Sequence, residues 1–139
     1  MTNILIIDGQ GGKIGAQLIL TLRELCPAAH LFAVGTNSIA TSNMLRSNPD
    51  AAATGENSVI VGCRDADYIV GPVGIAIADS LFGEVTPRMA KAVGQSRAIR
   101  VLIPMNKCSN IVVGVGDMPM AALIREAAEK IAAGLDKQA

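Results

Sequence analysis

The chain has 139 residues, which is enough for one domain with one hydrophobic core. Its 12 basic and 12 acidic residues give a net charge of zero, and aromatic residues make up only 2% of the chain. Without a basic surface or aromatic platforms, we expect no nucleic-acid binding. Hydrophobic residues make up 50% and charged residues 17%, a balance that favours a homo-oligomer hiding part of its surface.

No segment resembles a signal peptide or a membrane span. The N-terminus leads straight into an apolar run, and no apolar stretch is long enough to cross a bilayer. We therefore expect a cytoplasmic protein without a membrane partner. The cysteines Cys26, Cys63 and Cys108 are far apart and predict neither disulfides nor a metal site. His30, the only histidine, precedes a strand and is predicted to be structural.

A glycine-rich turn follows the first predicted strand, which covers residues 3–8. Helical periodicity then runs from about Gly12 to Cys26, where Pro27 ends it. The connecting sequence is Asp8-Gly9-Gln10-Gly11-Gly12-Lys13-Ile14-Gly15. Glycines let the backbone approach a ligand, and the free N–H groups at a helix start favour negative charge. The turn therefore predicts a phosphate or other anion site, with tight helix packing as the alternative.

The glycine spacing does not specify one cofactor. Gly9-x-Gly11-x-x-Ile14 lacks the third glycine of the strict dinucleotide pattern, whereas Gly9-x-x-Gly12-x-x-Gly15 fits a looser pattern that resembles the extended short-chain dehydrogenases. The cofactor stays unknown, with a nucleotide or NAD(P) as candidates.

Two polar positions beside the turn bear on that choice. An NAD-binding domain usually has an acidic residue after its second strand, where this chain has Thr36 and Asn37. A carboxylate beside phosphate is repulsive unless it is paired, so Asp8 counts against a plain pyrophosphate site. Asp8 either pairs with Lys13, a cation or a ligand amine, or it caps the turn.

The middle of the chain predicts further α/β units. Residues 31–34 form a strand, parallel to the first, and residues 39–47 form a helix capped by Ser38 or Thr36. Residues 59–70 form either a hairpin or, over residues 55–64, a helix capped by Thr54 and followed by a strand at 68–70. We favour the helix, which would place Thr54, Glu56 and Asn57 at the top of the sheet with the glycine turn.

The rest of the chain predicts three helices and two strands. A helix over residues 75–82 stops at Gly83, and a second helix begins at Thr86-Pro87. Glu84 lies between them, where a solvated side chain is the simpler interpretation. Residues 100–104 form a strand, and residues 110–114 form an antiparallel edge strand because the connection is too short for a crossover. Asp117 caps a final helix over residues 118–136.

These elements predict a single Rossmann-like three-layer α/β domain over residues 1–139, with a mostly parallel sheet and an antiparallel edge strand. Ligands of such sheets bind outside the carboxyl ends of the strands. Small and polar residues follow four of the predicted strands, which favours a pocket there. The predicted ligand-binding residues are Gly9, Gln10, Gly11, Gly12, Lys13, Gly15, Thr36, Asn37, Thr54, Asn57, Gly71, Pro72, Glu84 and Asn106.

The acid and base candidates are few. Asp8 and Glu56 are the predicted catalytic residues if the protein is an enzyme. Lys107 adds a charge near the same edge. Cys108 is a candidate nucleophile beside it, although a buried thiol is the preferred interpretation. No metal ligands are predicted.

The chain resembles a family of uncharacterised bacterial proteins known only as a domain of unknown function. The resemblance implies that Thr54-Gly55-Glu56-Asn57 and Gly83-Glu84 belong to one signature with the glycine turn, which adds weight to Glu56. The family has no assigned activity to transfer, and the wider likeness to Rossmann-type nucleotide-binding domains concerns the fold only. The matching segments are Ile7-Asp8-Gly9-Gln10-Gly11-Gly12-Lys13-Ile14-Gly15, Gly35-Thr36-Asn37, Ala53-Thr54-Gly55-Glu56-Asn57, Gly71-Pro72, Gly83-Glu84-Val85-Thr86-Pro87 and Ile103-Pro104.

Three functions follow from these observations. The first is a protein that binds a nucleotide or another phosphate-bearing or anionic metabolite at the glycine turn, without turnover. The second is a small enzyme that uses Glu56 or Asp8 as acid or base, with a nicotinamide nucleotide as a candidate cofactor. The third is a structural oligomer whose glycines only pack.

Overall fold

The computed structural model describes residues 1–105 and 109–138, and it forms one parallel sheet between two layers of helices. The five strands lie in the order β3-β2-β1-β4-β5, and every neighbouring pair is parallel. The strands are β1 Asn3–Asp8, β2 His30–Gly35, β3 Ala51–Thr54, β4 Tyr68–Pro72 and β5 Ile99–Ile103. The helices are α1 Lys13–Leu25, α2 Ser38–Leu45, α3 Glu56–Asp65, α4 Pro87–Gln95 and α5 Met120–Gln138, with a short 3-10 helix at Val73–Ala76.

The side chains of β1 explain the two layers. Ile4 and Ile6 point into a core shared with α1, α2 and α5, whereas Leu5 and Ile7 point into a second core shared with α3 and α4. Successive strand residues face opposite sides of a sheet, so an all-apolar strand indicates a sheet covered on both faces. The predicted Rossmann-like α/β fold is therefore confirmed. Within the described residues, no helix is long and apolar enough to cross a membrane.

The helix alternative for residues 55–64 is confirmed as α3. Gly55 adopts φ 100° and turns the chain directly from β3 into the helix. Val59 and Cys63, one turn apart, are buried on the face that packs on the sheet. The predicted cap was wrong in detail, because Thr54 is the last residue of β3 and Gly55 holds the N-cap position without a side-chain hydrogen bond.

Two predicted elements are wrong. Residues 110–114 form no strand, so β5 is an edge strand and the sheet has no antiparallel member among the described residues. Residues 75–82 form no α-helix, because the 3-10 helix ends at Ala76 and the chain then turns. Positive φ angles at Asp79, Leu81 and Phe82 interrupt helical hydrogen bonding there.

One strand was missed and two caps were assigned to the wrong residue. β3 consists of three alanines and a threonine, a composition with little strand propensity. The cap of α2 is neither Ser38 nor Thr36 but Asn37, whose side chain accepts from the Ala40 N–H at 2.8 Å. Helix α5 begins at Met120, too late for Asp117 to be its cap.

The predicted start of α4 is confirmed. Thr86 accepts from the Met89 N–H at 3.1 Å, and Pro87 is the first helical residue. Proline fits there because the N–H that it lacks would have no helical partner. The segment between the 3-10 helix and this cap, residues 77–85, is called the cover loop below.

Candidate functional site

The candidate site lies at the carboxyl edge of the sheet, above β1 and β2. The strand order reverses between β1 and β4, the switch point where open α/β sheets bind ligands. Asp8 pairs in register with Gly35, and Gly35 pairs with Thr54, so three strands end in one row. The residues that follow β1 and β2 therefore meet at one edge, as predicted, and Thr54 of β3, the strand that was not predicted, lies beside them.

Asp8 holds the glycine turn from inside. It is 4% exposed, and its two carboxylate oxygens accept hydrogen bonds at 2.8 Å from the N–H groups of Gly9 and Gly15. Burial raises the pKa of Asp8, although the backbone N–H groups counteract part of the rise and the nearby Glu84 charge adds to it. This geometry corresponds to the capping alternative for Asp8 rather than to pairing with Lys13.

The glycines of the turn have different surroundings. A Cβ atom on Gly12 would lie 2.6 Å from the Ala40 carbonyl oxygen, and the residue adopts φ 73°, so both space and backbone require glycine. Gly15 packs against Met44, also where α1 contacts α2. A Cβ atom on Gly11 would meet nothing within 4 Å. Packing therefore explains Gly12 and Gly15, and it leaves Gly11 open to a ligand.

Three donors converge on Glu84, which contacts the turn from the cover loop. Its Oε1 accepts from the Gln10 N–H at 2.9 Å, the Thr36 hydroxyl at 2.7 Å and the Asn37 Nδ2 at 2.7 Å. Partial burial acts to raise the pKa of Glu84, but these hydrogen bonds outweigh it, and the pKa lies below its ordinary value. We call the three donors of Gln10, Thr36 and Asn37 the oxyanion cradle. The expectation that Glu84 is merely solvated is therefore wrong.

The cover loop lies across the turn and is closed on itself. The Asp79 N–H donates to the Val85 carbonyl at 2.7 Å, and the Val85 N–H donates to the Ser80 carbonyl at 3.1 Å. Leu81 is buried, close to where a Cβ atom of Gly9 would lie. Phe82 is 98% exposed at the tip. The loop thus contributes one carboxylate and one apolar side chain to the glycine turn.

A second polar cluster lies beyond β3. The Glu56 Oε1 accepts from the Thr86 hydroxyl at 2.6 Å, and its Oε2 lies 3.8 Å from the Arg88 guanidinium. The Thr54 hydroxyl lies 2.7 Å from that of Thr41, and Asn57 is exposed. Glu56 therefore links the starts of α3 and α4 through its contacts with Thr86 and Arg88.

The β4 side contributes less to the site. Gly71 and Pro72 are buried, and Gly71 packs against the Ile7 backbone. A cleft of about 400 Å³ lies between the cover loop and residues 109 and 110. The predicted ligand residue Asn106, with Lys107 and Cys108, lies outside the described residues.

Several contacts at the site join residues that no local sequence pattern connects. Asn43 donates from Nδ2 to the Gly11 carbonyl, and the contact between Gln10 and Glu84 joins residues 74 positions apart. Only tertiary structure brings such groups together.

The described part of the chain contains two cysteines, and both are buried. No group of three or more histidine, cysteine, aspartate or glutamate residues that could hold a metal occurs there. Cys26 is buried, and burial raises the pKa of the Cys63 thiol to about 11. Neither thiol is activated as a nucleophile.

The parallel sheet, its switch point and the glycine turn define a Rossmann-like α/β protein. The model of the family described as "Domain of unknown function (DUF3842)" matches residues 3–136. The chain belongs to this family, so the resemblance to an uncharacterised family is confirmed. No curated protein matches the chain.

A solved structure with a similar chain is the dodecameric FMN-dependent Ubix-like decarboxylase from Escherichia coli O157:H7. The two chains share 19% sequence identity, with a TM-score of 0.47. The match covers 94% of this chain and 76% of the decarboxylase chain.

Proposed function

We propose that this protein binds a small anionic metabolite, such as a nucleotide or another phosphate-bearing molecule, over the carboxyl ends of β1 and β2. The observation that carries the proposal is the oxyanion cradle. A backbone N–H, a hydroxyl and an amide converge within 2.9 Å of a single carboxylate oxygen. Donors arranged in this way stabilise a negatively charged oxygen.

The outer face of the turn supports the same ligand class. Within the described residues, the Gly11 N–H has no hydrogen-bond acceptor, and the space beside Gly11 is open. Lys13 is exposed at the first position of α1. A ligand anion that enters from solvent would meet an N–H group, a helix N-terminus and an ammonium group.

Binding without turnover is the form that the geometry favours. Asp8, one proposed acid or base, has both oxygens engaged by backbone N–H groups. Glu56, the other, is engaged by Thr86 and Arg88. A general acid or base must lie within hydrogen-bonding reach of the reacting group, and these partners hold both carboxylates to the scaffold.

A thermal-shift screen tests the proposal. Purified protein is melted with nucleotides, dinucleotides and phosphorylated metabolites, with and without magnesium. A ligand present at about 100 times its dissociation constant adds roughly 2.7 kcal/mol of stability, which is readily visible. We expect at least one phosphate-bearing compound to raise the melting temperature.

The variant Gly11→Asp locates the binding. It places a carboxylate at the open face of the turn, where the new Cβ atom meets nothing within 4 Å, so the stabilisation by the ligand should disappear while the fold persists. Gly94→Asp is the matched control, because Gly94 also has open space and lies in the last turn of α4, at the opposite edge of the sheet. A ligand that stabilises Gly11→Asp as well as wild type would contradict the proposed site.

A further inference from the structure

We propose that Glu84 is a built-in competitor for the ligand: the cover loop holds its carboxylate in the oxyanion cradle and must lift before another anion can enter. The inference rests on the proposed function, because it assigns a regulatory contact to the same site. It predicts two states, one closed by Glu84 and one open to a ligand anion.

Two side chains of the cover loop contact the turn. The Glu84 carboxylate supplies the polar contact and Leu81 the apolar contact. The loop itself is closed by backbone hydrogen bonds between Asp79 and Val85 and between Val85 and Ser80. These internal bonds do not involve the turn. Ser80 and Val85 are buried, Val85 in the core beside α3 and α4, so they keep their bonds in place while residues 81–84 lift and expose Leu81.

The closed loop also contains unfavourable conformations. Leu81 and Phe82 adopt φ 56° and 57°, a left-handed region that bulky side chains rarely occupy. Phe82 gains no burial there, because its side chain is almost fully exposed. Such local strain lowers the cost of an alternative loop conformation.

Glu84 and a ligand anion exclude each other at the cradle. Oε1 already takes the hydrogen bonds of Gln10, Thr36 and Asn37. A second negative oxygen on the same donors would lie against the Glu84 carboxylate, with buried Asp8 nearby adding to the repulsion. The apparent affinity for a ligand is therefore reduced by the fraction of molecules in which the loop is open.

Chemical rescue with acetate tests this directly. Acetate carries the carboxylate that Glu84→Ala removes, so it should enter the vacated cradle. We expect Glu84→Ala to melt at a lower temperature than wild type, and acetate to raise its melting point with at least tenfold higher apparent affinity than for wild type. Inorganic phosphate is a second probe. Glu126→Ala, which removes an exposed carboxylate from α5, is the matched control and should respond like wild type.

Two results would overturn the inference. Either acetate stabilises wild type and Glu84→Ala equally, or it stabilises neither. Should Glu84→Ala not fold, Glu84→Gln replaces it, because the amide keeps an acceptor oxygen and the side-chain volume but has no charge. Amide hydrogen exchange over residues 77–85 should then be faster in Glu84→Gln than in wild type, and unchanged exchange would also overturn the inference.

The test separates this inference from the proposed function. Acetate rescue without any metabolite hit, in wild type or variant, would contradict the proposed metabolite and support the competition by Glu84. A metabolite that binds wild type and Glu84→Ala with equal affinity, but not Gly11→Asp, would support the proposed function and overturn the role of Glu84.

Discussion

The glycine turn and the cover loop meet at one edge of the sheet but are held in different ways. The turn is tied at both ends by Asp8, closed by a 2.9 Å hydrogen bond from the Gly12 N–H to the Gly9 carbonyl, and packed against the α2 backbone. The cover loop reaches the turn through the side chains of Glu84 and Leu81. The comparison indicates that the donors on the turn are held rigidly, whereas the Glu84 carboxylate that accepts from them can move away.

The carboxylates of Asp8 in the turn and Glu84 in the cover loop also differ in their surroundings. Asp8 is buried and desolvated, which raises its pKa. Glu84 is only partly buried, and its hydrogen bonds bring its pKa below the ordinary value. Asp8 therefore holds the turn at an electrostatic cost, whereas the charge of Glu84 is stabilised by its donors.

Substitution of two glycines in the turn should separate packing from ligand access. Gly12→Ala places a Cβ atom against the Ala40 backbone at a positive φ, so we expect a loss of about 2–4 kcal/mol of unfolding free energy. Gly11→Ala enters open space and should change stability by only about 0.5 kcal/mol. Urea denaturation measures both. Equal losses would show that the turn is not packed as described.

Asp8→Asn should destabilise the turn by about 1–3 kcal/mol, because the amide cannot accept from both backbone N–H groups. The pH dependence has a defined sign. The pKa of folded Asp8 lies above its ordinary value of 3.8, so wild-type stability falls as pH rises from that value through the folded pKa. The penalty of Asp8→Asn should therefore shrink with rising pH in urea titrations. A penalty that grows with pH would contradict the assignment.

Glu84→Gln should show the opposite pH dependence. The folded pKa lies below the ordinary value of 4.5, so the carboxylate stabilises the fold above that value and loses this contribution as pH falls through the folded pKa. We expect a penalty of about 1 kcal/mol at neutral pH, limited by solvent screening. Urea titrations down to acid pH should show the penalty vanish. Parallel pH profiles for Asp8→Asn and Glu84→Gln would remove the distinction between the two regions.

Asn37 connects the regions, and two substitutions divide its roles. Asn37→Ala removes the α2 cap and should cost about 1 kcal/mol. Asn37→Asp keeps an acceptor for the Ala40 N–H but places a like charge beside Glu84, so stability should change less while hydrogen exchange in the cover loop accelerates. Exchange that stays slow in Asn37→Asp would show that Asn37 does not hold Glu84.

Local sequence patterns were sufficient to predict the strand and the helix that carry the glycine turn. The apolar run of residues 3–8 and the glycines after it predicted β1 and the start of α1 because both signals lie within a few residues. The position of Glu84 could not be predicted, since its partners are up to 74 residues away. Its neighbours looked helical, and the left-handed backbone at Leu81 and Phe82 is a conformation that propensity disfavours.

The mistaken edge strand has a different cause. Ile111 and Val113 have high strand propensity, but a strand also needs a partner with free backbone groups. In the structure these side chains are 93% and 88% exposed. The expected homo-oligomer remains a prediction, and this apolar segment is where a partner surface would be sought first.

The most direct test of the anion site is an NMR titration of wild type and Glu84→Ala with inorganic phosphate. We expect shifts of the backbone amide signals of Gln10 and Gly11 and of the Asn37 side-chain amide, at lower phosphate concentration in Glu84→Ala than in wild type. Shifts confined to other parts of the chain, or none in either protein, would contradict an anion site at the glycine turn.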